Sequence, residues 1–348
     1  MSDRNRAIVT IAAAFGTVGL AITSGPAGAQ SVAEFYKGKS IILAIGAEVG
    51  GTIDLNGRLI GRHMGKYMPG NPTFIVQNVP GASSLKLANH LAAGAPKDGT
   101  YIGGVNRIAV FRKLYMEDSG VTFDPLAFNY LGSPDKIWSV SYVWHTAKAK
   151  TAADLLLHET IVGGSPGGSS HLHPQMFNEF AGFKYKIING YKGGADVDLA
   201  VERGEVEGRA STAPVALLEK NWVADKQVSL LYWNGLEKNI ELWPDLPLGL
   251  DLIKNPDDRK LMELYFAADE TGYPYTAPPD VPADRLAALR KAFMDTMTDK
   301  GFIDDSAKQK LDVNPVSAEK LTKIIAESYG APDAIVKRLQ AVLAPTMK

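Results

Sequence analysis

Short, unbroken apolar runs, each ending in a glycine loop and reopening into helical spacing, set the strongest limit on this chain. Ile41-Ile42-Leu43-Ala44-Ile45 is one such run, and Gly50-Gly51-Thr52-Ile53-Asp54 follows it. A strand buried on both faces reads in this continuous way. Leu55, Leu59, Ile60, Met64, Tyr67 and Met68 then recur at helical spacing until Pro69-Gly70-Asn71-Pro72 stops them. Residues 74–77 read as a second strand, 85–93 as a short helix ended by Gly94, and 101–105 as a third strand. This β-α-β-α-β order predicts a mainly parallel sheet with helices on its faces.

The order starts again downstream. Residues 160–163 form a strand candidate, and Leu172, Met176, Phe177 and Phe180 mark a helix. Residues 186–188 give the next strand. Residues 197–203 give the next helix, with Asp196 as its expected N-cap and Gly204 past its end. Residues 206–210 and 228–233 add strands. The last third reads as helical, with starts at Pro282, Ser317 and Pro332. These helices lack a sheet of their own and are expected to return to cover the first α/β unit. Two crossings between units follow, and such crossings make a hinge.

Composition narrows the function classes. The chain has 348 residues, enough for about two domains of ordinary size. Its formal net charge of -1 opposes nucleic-acid binding, which needs a basic excess. It has no cysteine, so it has no thiolate metal site, thiol nucleophile or disulfide. Arg4 and Arg6, an apolar stretch from Ala7 to Ile22 and Ala27-Gly28-Ala29 read as a signal peptide over residues 1–29. Cleavage near Ala29 and a periplasmic location are expected.

Three glycine loops carry the candidate chemistry: 50–54, 163–170 and 191–196. A strand, a tight turn and a helix start together aim unpaired N–H groups at one spot, which attracts an anion. Asp54 is expected either to cap its helix or to hold its loop in shape. Arg107, with Asn106 before it, and Arg209 follow strand-like runs, where ligands of α/β sheets gather. Either arginine could clamp a carboxylate through two parallel bonds or pair with a neighbouring acid. Lys192 lies inside the third glycine loop. The five tryptophans read as core or lobe-edge packing.

An enzymatic reading competes. Gly163-Gly164-Ser165-Pro166-Gly167 fits the G-x-S-x-G elbow of hydrolases, with Ser165 as nucleophile. That elbow needs the N–H of the residue after the serine, and Pro166 has none. His171 and His173 form an H-x-H pair with no third ligand at motif spacing. No catalytic residue, metal or cofactor is expected.

The loops also carry a family likeness. Gly50-Gly51-Thr52-Ile53-Asp54, Val76-Gln77-Asn78-Val79-Pro80-Gly81-Ala82, Ala95-Pro96-Lys97-Asp98-Gly99-Thr100, Ser169-Ser170-His171-Leu172, Gly190-Tyr191-Lys192-Gly193-Gly194, Gly204-Glu205-Val206-Glu207, Pro244-Asp245-Leu246-Pro247 and Ala277-Pro278-Pro279 follow one another in family order. Together they resemble the solute receptors of tripartite tricarboxylate transporters, the Bug-type proteins. The resemblance implies an α/β, two-lobed periplasmic binding protein of the Venus-flytrap, type II-like form. Each lobe would be a mainly parallel sheet flanked by helices. Lobe 1 is expected to comprise 30–139 and 240–348, and lobe 2 to comprise 140–239. It further implies a monomer that closes on a small organic acid and delivers it to membrane permease subunits. A sensor module on the same fold is the alternative.

In that family the first glycine loop and the loop before the Ser-His segment hold a ligand carboxylate, largely through backbone N–H groups and water. Carried over, this picks out Gly50, Gly51, Thr52 and Asp54, then Ser165, Gly168, Ser169 and Ser170, then Tyr191 and Gly193. The family has small or apolar residues where Arg107 and Arg209 stand. A proline and an aromatic residue usually follow its first strand, where this chain reads Gly46-Ala47-Glu48-Val49.

Overall fold

A computed structural model describes residues 31–345. The expected signal peptide, with its cleavage point, lies outside the described residues. Two mixed sheets organise the rest. The strands are β1 (Ser40–Ile45), β2 (Thr73–Asn78), β3 (Tyr101–Gly104), β4 (Asn129–Ser133), β5 (Ser139–Trp144), β6 (Thr160–Gly164), β7 (Tyr185–Asn189), β8 (Gly208–Thr212), β9 (Val228–Asn234), β10 (Tyr275–Ala277) and β11 (Val316–Ser317). The first sheet runs β11-β4-β10-β3-β1-β2 and the second β7-β6-β8-β5-β9.

In the first sheet β1 pairs in parallel with β2 and β3, while β10 and β11 pair antiparallel with their neighbours. In the second, β6 pairs in parallel with β7 and β8, while β5 is antiparallel to β8 and β9. The parallel strands are the ones that follow the apolar-run pattern. The antiparallel ones come from segments that pattern left unassigned, except β9.

The chain leaves the first sheet after β4 and returns after β9. A helix over Pro256–Thr271 begins the return. Pro256 opens it, and the Asn255 side chain accepts from the amides of Asp257 and Asp258 at 2.9 and 3.2 Å. Such a cap stabilises a helix by about 1 kcal/mol. Helices over Ala283–Met297, Lys300–Lys308, Ala318–Tyr329 and Asp333–Leu343 follow.

The C-terminal helices do more than cover the first sheet. One continuous apolar core holds Tyr101, Tyr130 and Val110 beside the first sheet, Val162, Tyr232 and Phe177 beside the second, and Leu261, Met262 and Phe266 of the 256–271 helix between them. His173 of the Ser169–Ala181 helix stands edge-on to Tyr265 and Phe266. Gln175 donates to the carbonyl of Val342 at 3.2 Å. The two crossings therefore run beside a shared core. The outer faces of the two sheets have separate cores. Trp222 and Trp233 are buried in the second of these. No helix among the described residues is long and apolar enough to cross a membrane.

Candidate functional site

Three helix starts face the space beyond the strand ends, and they differ in what already satisfies them. In the first loop Gly50 takes φ +91°, and the helix Thr52–His63 has Gly51 at its N-cap. Asp54 is therefore not the cap. It sits within the first turn, 1 % exposed, with both oxygens engaged. Its Oδ2 accepts from the Gly50 amide and from Arg58 Nε, both at 2.9 Å, and its Oδ1 accepts from Asn78 Nδ2 at 2.8 Å. Burial alone would push this carboxyl up. The bonds from Arg58, Gly50 and Asn78 outweigh burial and hold it below the usual range.

The third loop repeats the device. Gly193 is the N-cap of the helix Gly194–Glu202, so Asp196 is not the cap either. Asp196 instead reaches back to the Lys192 amide at 3.2 Å. Arg209 lies directly beneath this helix start, where any side chain at Gly194 would collide with its guanidinium. Its Nη1 meets Asp198 Oδ1 at 3.2 Å and Thr212 Oγ1 at 3.2 Å. Asp198 also accepts from the Tyr142 hydroxyl at 2.7 Å. Of the alternatives open to Arg209, the structure shows the internal ion pair, with Asp198 rather than a neighbouring glutamate. Glu207 faces elsewhere and accepts from the Ile161 amide. Tyr191 packs against the core outside the second sheet.

The second loop has no such carboxylate. Gly168 is the N-cap, the first turn of the Ser169–Ala181 helix carries no acidic residue, and Gly167 takes φ +71°. The Ser165 amide donates to Ser170 Oγ at 3.0 Å, which shapes the loop without adding charge. Ser165 Oγ itself only brushes the Lys192 carbonyl at 3.5 Å. His171 turns away from it, with Nδ1 against Asn189 Oδ1 at 2.6 Å and Nε2 against Gln175 Oε1 at 3.1 Å.

This uncompensated helix start opens into a cavity of about 480 Å³, between Pro166–Ser169 on one side and Arg107, Arg112 and Asp269 on the other. Arg107 is the first residue of the helix Arg107–Tyr115, which the Asn106 side chain caps by accepting from the Ile108 amide at 2.9 Å. Arg107 Nε donates to Asp269 Oδ1 at 2.8 Å. That bond engages the Nε of the guanidinium. His173 lines the same cavity and is 1 % exposed, with the Asn234 side chain as a loose partner and no well-formed hydrogen bond at either ring nitrogen. Burial lowers its pKa to about 4, so the ring is neutral at pH 7. A wider groove of about 750 Å³ beside the 333–343 helix carries Glu117 and Asp118 against Lys337 and would repel an anion.

A second, smaller cavity of about 190 Å³ holds Thr52, Asn56, Trp138 and Tyr273 beside the first crossing. Asp135 lines it with Asp312, Lys136 and Lys310. Burial pushes the Asp135 carboxyl from 3.8 up to about 7; the nearby Asp312 adds to the rise, and Asn314 Nδ2 at 3.1 Å and Lys136 oppose it. The folded value lies above the unfolded one. This group therefore contributes most below pH 4, and its contribution is lost as pH rises toward 7. Asp135→Asn is expected to raise stability by about 2 kcal/mol at pH 8 and by almost nothing at pH 4. Urea melts at the two pH values check this, and equal gains at both would refute it.

Of the residues singled out from sequence, Arg107, Gly168 and Ser169 line the larger cavity, with Asn106, Ser165 and Ser170 shaping its walls. Thr52 lines the smaller one. Gly50, Gly51, Asp54, Tyr191, Lys192, Gly193 and Arg209 line neither cavity. Sequence reasoning missed Asp269, Arg112 and His173 as cavity residues. The first two lie in helices it did not assign. His173 stands out in sequence only as half of the His171–His173 pair.

Two helix-flanked mixed sheets, joined by two crossings and enclosing a polar cavity, define a two-lobed binding-protein fold. A TctC solute-binding protein from Polaromonas, solved without ligand, has this fold with a TM-score of 0.68 at 16 % identity, over 89 % of this chain and 99 % of that one. A Rhodopseudomonas palustris protein solved with adipate gives 0.55 at 17 %, over 89 % and 97 %. MatC from Rhodopseudomonas palustris, solved with bound malate, gives 0.53 at 14 %, over 88 % and 99 %. No protein-family profile and no curated protein matches the sequence. The two-lobed fold implied by the family resemblance is the fold observed, but its sheets are mixed where mainly parallel ones were expected, because the segments that join the lobes and return from the C-terminal third add antiparallel strands.

Proposed function

We propose that this chain is a periplasmic solute receptor of the tripartite tricarboxylate type. It holds a small organic anion between lobe 1 (30–139 and 240–348) and lobe 2 (140–239) and passes it to membrane permease subunits. The supporting observation is the asymmetry among the three glycine loops. Two of them meet a carboxylate of their own, Asp54 or Asp196. The loop before Ser169 meets none, and it opens on the cavity that Arg107 lines from the other side. Helix-start amides and an arginine edge are complementary to one carboxylate. Two neighbours of the same fold were solved with the carboxylates adipate and malate. The proposed action has no bond chemistry: the anion binds one lobe, the other lobe moves in, and contacts made only in the closed state stabilise closure.

A thermal-shift screen of the mature chain against small organic acids tests this. A bound acid at a hundred times its Kd is expected to add about 2.7 kcal/mol of stability. Arg107→Lys keeps a charge beside Asp269 but loses the planar fork, and is expected to weaken binding at least tenfold. Unchanged affinity in that variant would place the anion elsewhere.

A further inference from the structure

We propose that the ligand is a monocarboxylate with an apolar body, rather than a di- or tricarboxylate. This inference rests on the receptor reading above and concerns the same cavity. The first ground is charge. Arg107 and Arg112 are the cationic side chains of the lining, and Asp269 is its anionic one, which leaves a single positive charge. Arg112 Nε is itself held by the Ser119 carbonyl at 2.6 Å. One ligand carboxylate balances this lining. A second would enter a partly open space with no further cation to meet it, and an unpaired charge drawn out of water is disfavoured.

The second ground is the apolar part of the same lining. Tyr115, Met116, Leu172 and Tyr265 present rings and alkyl groups to the cavity. Its 480 Å³ also falls in the size range of sites for organic ligands larger than the smallest acids. The third ground is His173, buried, lining this cavity, with neither nitrogen well bonded. Its ring is neutral, so it does not compensate a second carboxylate.

Octanoate and suberate share a carbon-chain length and differ only in the second carboxylate. Calorimetric titration of the mature chain is expected to give octanoate a Kd at least tenfold lower than suberate. Met116 is partly exposed at the end of its helix, so Met116→Lys should fold. It adds a further cation to the lining, and it is expected to shift the octanoate-to-suberate ratio at least tenfold toward suberate. Suberate binding as tightly as octanoate in the unaltered protein, or an unchanged ratio in Met116→Lys, would overturn the inference. A suberate preference that is lost in Arg107→Lys would overturn it while leaving the receptor reading intact. Absence of binding by every acid in the screen would remove both.

Discussion

Asp198→Ala is expected to destabilise the protein by about 3–5 kcal/mol, because it leaves a partly buried guanidinium without its counter-ion. Asp198 is 4 % exposed in the Gly194–Glu202 helix and joins three elements of the second sheet's outer layer. It accepts from the Tyr142 hydroxyl on β5 at 2.7 Å and from Arg209 on β8 at 3.2 Å. Removing it also leaves the Tyr142 hydroxyl, fully buried, without an acceptor. The Arg209 side chain is 15 % exposed, so water reaches part of it and the lower end of the range is expected. Asp198→Asn keeps an acceptor for Tyr142 and should lose less. The double variant Asp198→Leu with Arg209→Leu should recover much of the loss, since it buries no lone charge. Denaturant melts of the four proteins measure this. A loss below 1 kcal/mol for Asp198→Ala would mean that Arg209 finds another partner or turns to solvent.

Gly272→Ala is expected to cost at least 3 kcal/mol by steric collision at a backbone that does not tolerate a side chain. Gly272 ends the 256–271 helix at φ 57° and ψ -108°. A methyl group there would be driven into the carbonyl oxygen of Asp135 and close to Ser133 Oγ. Those atoms are already fixed. Ser133 Oγ donates to the Asp135 carbonyl at 2.6 Å and accepts from the Tyr273 amide at 2.9 Å. The contact ties the end of the 256–271 helix to the first crossing between lobes. Asp269 lies one turn earlier on the same helix, so the substitution should also displace the partner of Arg107. Gly204→Ala is the control. Gly204 has φ +72° but nothing within 4 Å of an added methyl, so only about 1–2 kcal/mol of backbone preference is at stake. Similar melting temperatures for the two variants would show that the 134–136 segment yields and that the lobes are not fixed there.

The parallel half of each sheet was legible because a strand buried on both faces writes a continuous apolar run. The helix 85–93 was legible to the residue, since Gly94 stops it and its apolar face is narrow. The helix over Arg107–Tyr115 was not legible, because Ala109, Val110, Phe111, Leu114 and Tyr115 are all buried and surround it without a clean stripe. The Pro256–Thr271 helix hides for the same reason: it touches both lobes and is buried on more than one side. Strand β8 starts later than its apolar spacing suggests. Gly208 fits tightly against Tyr142 and Val143, and the Glu207 side chain closes the sheet end instead.

The sequence by itself determined the strand–glycine loop–helix units, because burial and turn chemistry act over a few neighbouring residues. It also determined that helix starts would gather at one side of each sheet, since parallel strands all end there. Only the tertiary structure decided which start remains open to an anion. Asp54 and Asp196 turn back on their own loops, and Arg209 is spent on Asp198. Asp269 reaches Arg107 from 162 residues away. Whether a charge is free depends on its nearest partner in space, and local spacing carries no record of that partner.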